Sequence, residues 1–156
     1  MNWFKSRKFC VGSPADGGVV ALLDLQDEVF KNKMMGDGVA IEPVDGEFVA
    51  PFDGVVVHVA PTKHAIIIRA SNEVSVLIHM GIDTVYLGGE AFLCFVAEGQ
   101  HVQRGDLLAR MDLNEVFRRG KSIISPVIVV DGKEAKIKAT NLDFVKKQDL
   151  LLTVKL

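Results

Sequence analysis

Turn-forming residues interrupt this chain so often that a long helix has no room to form. Glycine, proline, asparagine and aspartate recur along the whole length, separating short runs rich in valine, isoleucine and phenylalanine. Runs of about four to eight such residues between turn signals read as strands of a sandwich or barrel. The segments that fit are 18–22, 39–42, 47–50, 54–60, 64–70, 74–80, 91–95, 107–111, 125–130 and 150–154. Two short helices fit between them. Asp27 opens an Asp-Glu-Val-Phe-Lys-Asn-Lys-Met-Met stretch that Gly36 closes, and Asp112 with Glu115 has the form of a capping box ended by Gly120.

The chain also repeats itself. Ser13-Pro-Ala-Asp-Gly-Gly-Val-Val is echoed by Ala50-Pro-Phe-Asp-Gly-Val-Val-Val, and Val102-Gln-Arg-Gly-Asp-Leu-Leu by Val145-Lys-Lys-Gln-Asp-Leu-Leu. Two copies are too few for an open array, which needs three or more units. The expectation is therefore all-β: a compact antiparallel β-sandwich or barrel with internal pseudo-symmetry and one or two short helices.

At 156 residues the chain can bury roughly 70% of its unfolded surface, enough for a core without disulfides or a structural metal. Twenty acids against 18 bases leave a net charge of −2, which argues against a polyelectrolyte and against nucleic acid as a whole-chain partner. No apolar run approaches the roughly 18 to 20 residues of a membrane span, and no signal peptide is recognisable, so a cytoplasmic location is expected. Cys10 and Cys94 show no metal or redox spacing and read as free thiols. Residues 1–12 are set apart as an N-terminal segment, with residues 13–156 as the folded unit. The basic and aromatic mixture of the first ten residues reads as a loose start, an initial strand or a contact with an anionic membrane.

Candidate chemistry centres on two of the four histidines. The runs around His64-Ala65-Ile66-Ile67-Ile68-Arg69 and Val74-Ser75-Val76-Leu77-Ile78-His79 form a hairpin across Ser71-Asn72-Glu73. A turn centred between Ser71 and Asn72 opposes Ile68 to Ser75, Ile66 to Leu77 and His64 to His79. Directly opposed side chains have Cβ atoms roughly 4.5 to 5.5 Å apart, so both rings reach one small group. A one-residue slip is expected to destroy that geometry, and Ser-Asn is not the preferred turn dipeptide. Apolar neighbours such as Ile66, Leu77, Val39 and Met80 depress an imidazole pKa and keep a lone pair free. The rival reading is two separately satisfied histidines. His58 reads as an exposed strand residue and His101 as a solvated loop residue.

With these residues in place, the chain resembles a known family, the glucose-class IIA component of the bacterial sugar phosphotransferase system. The resemblance runs from about Ser13 to Lys155 through Asp27-Glu28-Val29-Phe30, Gly36-Asp37-Gly38-Val39-Ala40-Ile41, Val49-Ala50-Pro51-Phe52-Asp53-Gly54, Thr62-Lys63-His64-Ala65, His79-Met80-Gly81-Ile82-Asp83-Thr84-Val85, Glu98-Gly99-Gln100-His101-Val102 and Gly105-Asp106. Where the family has Asp-Pro-Val-Phe, this chain has Asp27-Glu28-Val29-Phe30.

The resemblance implies a phosphoryl carrier. His79 would take the group from phospho-HPr and pass it to a cysteine of a IIB domain, His64 would be the second histidine of the site, and Thr62 would support the pair. Asp37 and Asp83 would meet basic residues of HPr at the rim of an apolar face carrying Val39, Ile41, Ile66 and Leu77. No cofactor or metal is required, and membrane contact would be peripheral, through the permease.

Two other classes compete. A zinc hydrolase would draw on His64, His79 and Asp83, although the His-x-His element of β-sheet zinc peptidases is missing. A biotinyl or lipoyl carrier shares the Glu98-Gly99-Gln100 phrase but needs a lysine at a hairpin tip flanked as Met-Lys-Met or Asp-Lys-Val, and neither string occurs.

Overall fold

The computed structural model describes residues 7–132 and 135–156. The strands run β1 (Lys8–Gly12), β2 (Gly17–Val20), β3 (Asp37–Pro43), β4 (Glu47–Val49), β5 (Gly54–Val59), β6 (Ala65–Arg69), β7 (Ser75–His79), β8 (Phe92–Cys94), β9 (His101–Val102), β10 (Leu107–Met111), β11 (Ser125–Val130), β12 (Lys136–Ala139), β13 (Phe144–Val145) and β14 (Leu150–Lys155). Two short helices, α1 (Glu28–Lys31) and α2 (Leu113–Arg118), interrupt them. Each begins on an aspartate whose carboxylate accepts a backbone N–H, Asp27 from Phe30 and Asp112 from Glu115. The first helix is shorter than the sequence suggests. Lys33 turns left-handed at φ 55°, and Met34 and Met35 beyond it stay exposed, with no core to hold another turn.

Every ladder is antiparallel. Eight strands form one sheet in the order β13-β2-β3-β11-β7-β6-β5-β9, and two three-stranded sheets, β1-β14-β12 and β4-β10-β8, complete the fold. Alternation divides the large sheet into two apolar faces. Val39, Ile41, Ile66, Ile68, Val76 and Ile78 point inward and share a core with Val11, Leu152 and Val154 of one small sheet and Phe48, Leu108 and Met111 of the other. Ala40, Ala65, Leu77 and Ile128 point outward and are covered in part by Leu22, Leu25 and Phe30. The architecture is a sandwich with open edges, so the barrel alternative falls.

The repeats are duplicated bonding patterns. Ser13 N–H donates to Asp149 O and its carbonyl accepts from Gln148 N–H; Ala50 does the same with Asp106 and Gly105. Asp16 Oδ1 accepts from Lys147 N–H at 2.6 Å, and Asp53 Oδ1 from Arg104 N–H at 2.7 Å. The copies also bond to each other, Gly12 N–H to Pro51 O and Val49 N–H to Pro14 O. The pairs β1·β14 and β4·β10 correspond, as do β2·β13 and β5·β9.

The N-terminal division at residue 12 does not hold. Residues 8–12 form β1, paired along its length with β14, because Phe9 and Val11 alternate inward beneath Lys8 and Cys10. The expectations for residues 1–6 lie outside the described residues. Both cysteines are free, Cys10 exposed and Cys94 half-buried.

Close approach of strands makes one glycine of the repeat irreplaceable. A Cβ on Gly17 would stand 2.1 Å from Glu42 O, whereas one on Gly18 would find its nearest atom at 3.9 Å. Gly17→Ala is therefore expected to cost ~1–3 kcal/mol, since backbone must shift. Gly18→Ala is expected to stay within about 0.5 kcal/mol of the parent or gain slightly. Urea unfolding midpoints of the two variants check this, and equal midpoints would contradict the packing.

Candidate functional site

The β6–β7 hairpin carries the site in a register one residue away from the expected one. Ala65 opposes His79, Ile66 opposes Ile78 and Arg69 opposes Ser75. The cause is the turn. Ala70 N–H bonds to Val74 O, Glu73 N–H to Ala70 O, and Glu73 takes a left-handed φ of 71°, making a three-residue loop centred on Asn72. The slip was expected to separate the imidazoles, yet their centroids lie 4.9 Å apart with planes at 75°. His64 escapes strand alternation because it precedes β6 and follows Lys63, which turns left-handed at φ 62°. Its carbonyl still accepts from Met80 N–H, anchoring it across from β7. The small Ala65 opposite His79 leaves space for the second ring.

Each ring has one defined partner. Nδ1 of His79 lies 2.7 Å from Gly81 O. A carbonyl only accepts, so Nδ1 carries the proton and Nε2 of the neutral ring holds the lone pair. Nδ1 of His64 lies 2.5 Å from Thr62 Oγ1. Phe30 packs edge-on against His79, with centroids 5.0 Å apart. Gly81 is held in turn: its N–H donates to Ser125 Oγ at 3.0 Å, and the neighbouring Met80 O accepts from Thr84 Oγ1 at 2.6 Å. At φ 78° a Cβ on Gly81 would sit 2.4 Å from Thr84 Cγ2, so only glycine fits.

Burial lowers both imidazole pKa values. His64, 8% exposed, is pushed down from 6.5 to about 4, chiefly by desolvation and then by the neighbouring His79 and His58. His79 is also lowered by desolvation, but the Gly81 carbonyl and the charges of Asp27 and Asp83 pull back toward the cation. Asp27 and Asp83 share a recess of about 500 Å³ with Asp24 and Lys121.

The remaining expected site residues are placed differently. Val39, Ile41, Ile66 and Leu77 are at most 3% exposed, and the first three point into the inter-layer core, so they offer no docking surface. Core and interface aliphatics share one composition, so the sequence alone does not separate them. The half-buried apolar residues on the outer face are Val20, Ile67, Ile82, Ile124 and Val130. Asp37 pairs with Val129, three levels along the sheet and two strands away from His79, and bonds to Gly38 N–H and Lys33. Asp27, read only as a helix start, is the acid from that region that acts on His79; the helix start and Phe30 three residues on were its available signals. Asp83 is exposed. His58 is exposed beside Glu98, and His101 is exposed within β9.

Among the described residues no group of three or more His, Cys, Asp or Glu is placed to hold a metal ion. The alternative set His64, His79 and Asp83 thus does not converge on a zinc position.

Comparison with known proteins points one way. The family model for the phosphoenolpyruvate-dependent sugar phosphotransferase system, EIIA 1, matches residues 10–135. Among solved structures, glucose permease IIA from Mycoplasma capricolum is 39% identical and aligns with a TM-score of 0.87, over 97% of this chain and 99% of that one.

The buried neutral rings give stability a pH dependence of defined sign. The unfolded chain protonates His64 near 6.5 and the folded chain near 4, so protons favour unfolding between these values and stability falls as pH drops through that window. His64→Gln should flatten the decline in urea midpoint between pH 7.5 and 5.5. Parallel curves for parent and variant would exclude the burial argument.

Proposed function

Since the chain belongs to the EIIA 1 family of the phosphoenolpyruvate-dependent sugar phosphotransferase system and is a glucose-class IIA phosphocarrier, we propose that His79 carries the phosphoryl group between HPr and a IIB domain. The observation that carries this reading is the Nδ1–H of His79 bonded to Gly81 O, which leaves Nε2 as the free nucleophile beside a second imidazole.

In the first transfer the Nε2 lone pair attacks phosphorus in line, an N–P bond forms, and the donor's N–P bond breaks with its electron pair returning to the donor nitrogen. The His79 ring keeps its Nδ1 proton and becomes cationic. The Gly81 carbonyl, Asp27 and Asp83 already favour that cation, so they stabilise the state in which the group is carried. A Thr62 hydroxyl donating to Nδ1 of His64 leaves the His64 proton on Nε2, where it can donate to a phosphoryl oxygen. In the second transfer a cysteine thiolate of the IIB domain attacks, and the N–P electrons return to Nε2. Little covalent work falls to the protein, because phosphoryl transfer depends mainly on alignment and charge stabilisation.

Docking uses the outer face around the rings. Val20, Ile67, Ile82, Ile124 and Val130 supply apolar contact, and the recess bearing Asp24, Asp27 and Asp83 accepts basic side chains of the partner. Such a surface suits transient association with two partners in turn.

Incubation with phosphoenolpyruvate, enzyme I and HPr, followed by mapping of acid-labile phosphate, is expected to place label on His79. His79→Gln should abolish it. His64→Gln should still accept label but pass it to a IIB domain ~10²–10³-fold more slowly, the usual cost of one donor to developing charge. Label on any other residue would refute the assignment.

A further inference from the structure

The outer face of the β1-β14-β12 sheet places lysines side by side across three strands. Lys8 opposes Lys155 and Lys155 opposes Lys136 in register, while two residues along Cys10 opposes Thr153 and Thr153 opposes Lys138. Lys8, Lys136, Lys138 and Lys155 are all exposed, and none lies within 4.0 Å of a carboxylate among the described residues. Like charges directly opposed across strands destabilise a sheet.

The fold does not require this arrangement, because its other half does without it. At the positions of Cys10, Thr153 and Lys138 the pseudo-symmetric sheet carries Glu47, Arg110 and Leu93, and there Arg110 opposes Glu47 with an ion pair of 3.6 Å. By the same offsets the positions of Lys8 and Lys155 hold Asp45 and Asp112 in that copy, so the backbone does not impose the lysine level.

We infer that this lysine face docks on the surface of an anionic phospholipid bilayer. Lys8, Lys155 and Lys136 stand on three adjacent strands about 4.8 Å apart, so they present a spread field rather than a pocket for one small anion. The face displays no aromatic ring on which bases would stack. Apolar groups border it: Lys138 and Thr153 share a groove of about 330 Å³ with the half-exposed Leu142 and Leu150. Lysines beside exposed leucines match the headgroup and upper acyl region of a membrane, whereas nucleic acid offers the leucines nothing. The face belongs to the layer behind the large sheet, so docking leaves the histidines uncovered.

The test is sedimentation of the full chain with vesicles of phosphatidylcholine alone or with 30% phosphatidylglycerol, in low salt and in 0.5 M KCl. Binding is expected only to the anionic vesicles in low salt. The triple variant Lys8→Gln, Lys136→Gln, Lys155→Gln should weaken it about fivefold per lysine, on the order of a hundredfold in all. A variant of equal net charge, Lys31→Gln, Arg118→Gln, Lys121→Gln, should bind like the parent. Absence of binding, equal losses in both variants, or stronger retention on single-stranded RNA than on anionic vesicles would overturn the inference. Circular dichroism and HPr-dependent labelling of the lysine-face variant should match the parent, separating this test from that of the phosphoryl relay.

Discussion

The bond from His79 Nδ1–H to the Gly81 carbonyl governs the chemistry available at the site. Because an acceptor-only partner takes the proton-bearing nitrogen, the opposite nitrogen is left with its lone pair. The surroundings make the bond possible. Gly81 occupies a conformation and a space that no side chain tolerates, with Ser125 holding its N–H and Thr84 holding the preceding carbonyl. Ser125, four strands on in sequence order, thus helps hold the Gly81 carbonyl that decides which histidine nitrogen is free.

The two rings sit in one dish but differ electrostatically. His64 has desolvation and a neighbouring imidazole against its charged form, and nothing comparable in its favour. His79 is lowered by desolvation too, but a carbonyl and two carboxylates partly offset it. Environments that separate two like groups in this way divide their roles: one ring is suited to bear transient positive charge, and the other to remain a neutral donor.

The duplicated scaffold explains how one sequence supports two unlike back surfaces. Asp16 and Asp53 tie equivalent loops through equivalent backbone bonds, so the outward positions of the small sheets are free to diverge. One sheet carries the Arg110–Glu47 ion pair where the other has Thr153 and Cys10, and the other carries its lysines one level along. Neither change touches the shared apolar core, which faces the opposite way.

Strand alternation, the aspartate caps of both helices, the repeat and the identity of the two histidines were legible in the chain because each depends on residues close together in sequence. The short ladders β9, β12 and β13 were not, since two residues make no period and alternating lysines hide the apolar Ile137. The hairpin register, the release of His64 from alternation, the choice of Asp27 over Asp37, and the burial of Val39, Ile41, Ile66 and Leu77 were decided only in three dimensions. Register follows from a left-handed Glu73 whose conformation no local pattern announces, and whether an aliphatic residue is core or surface depends on which layer the rest of the chain lays over it.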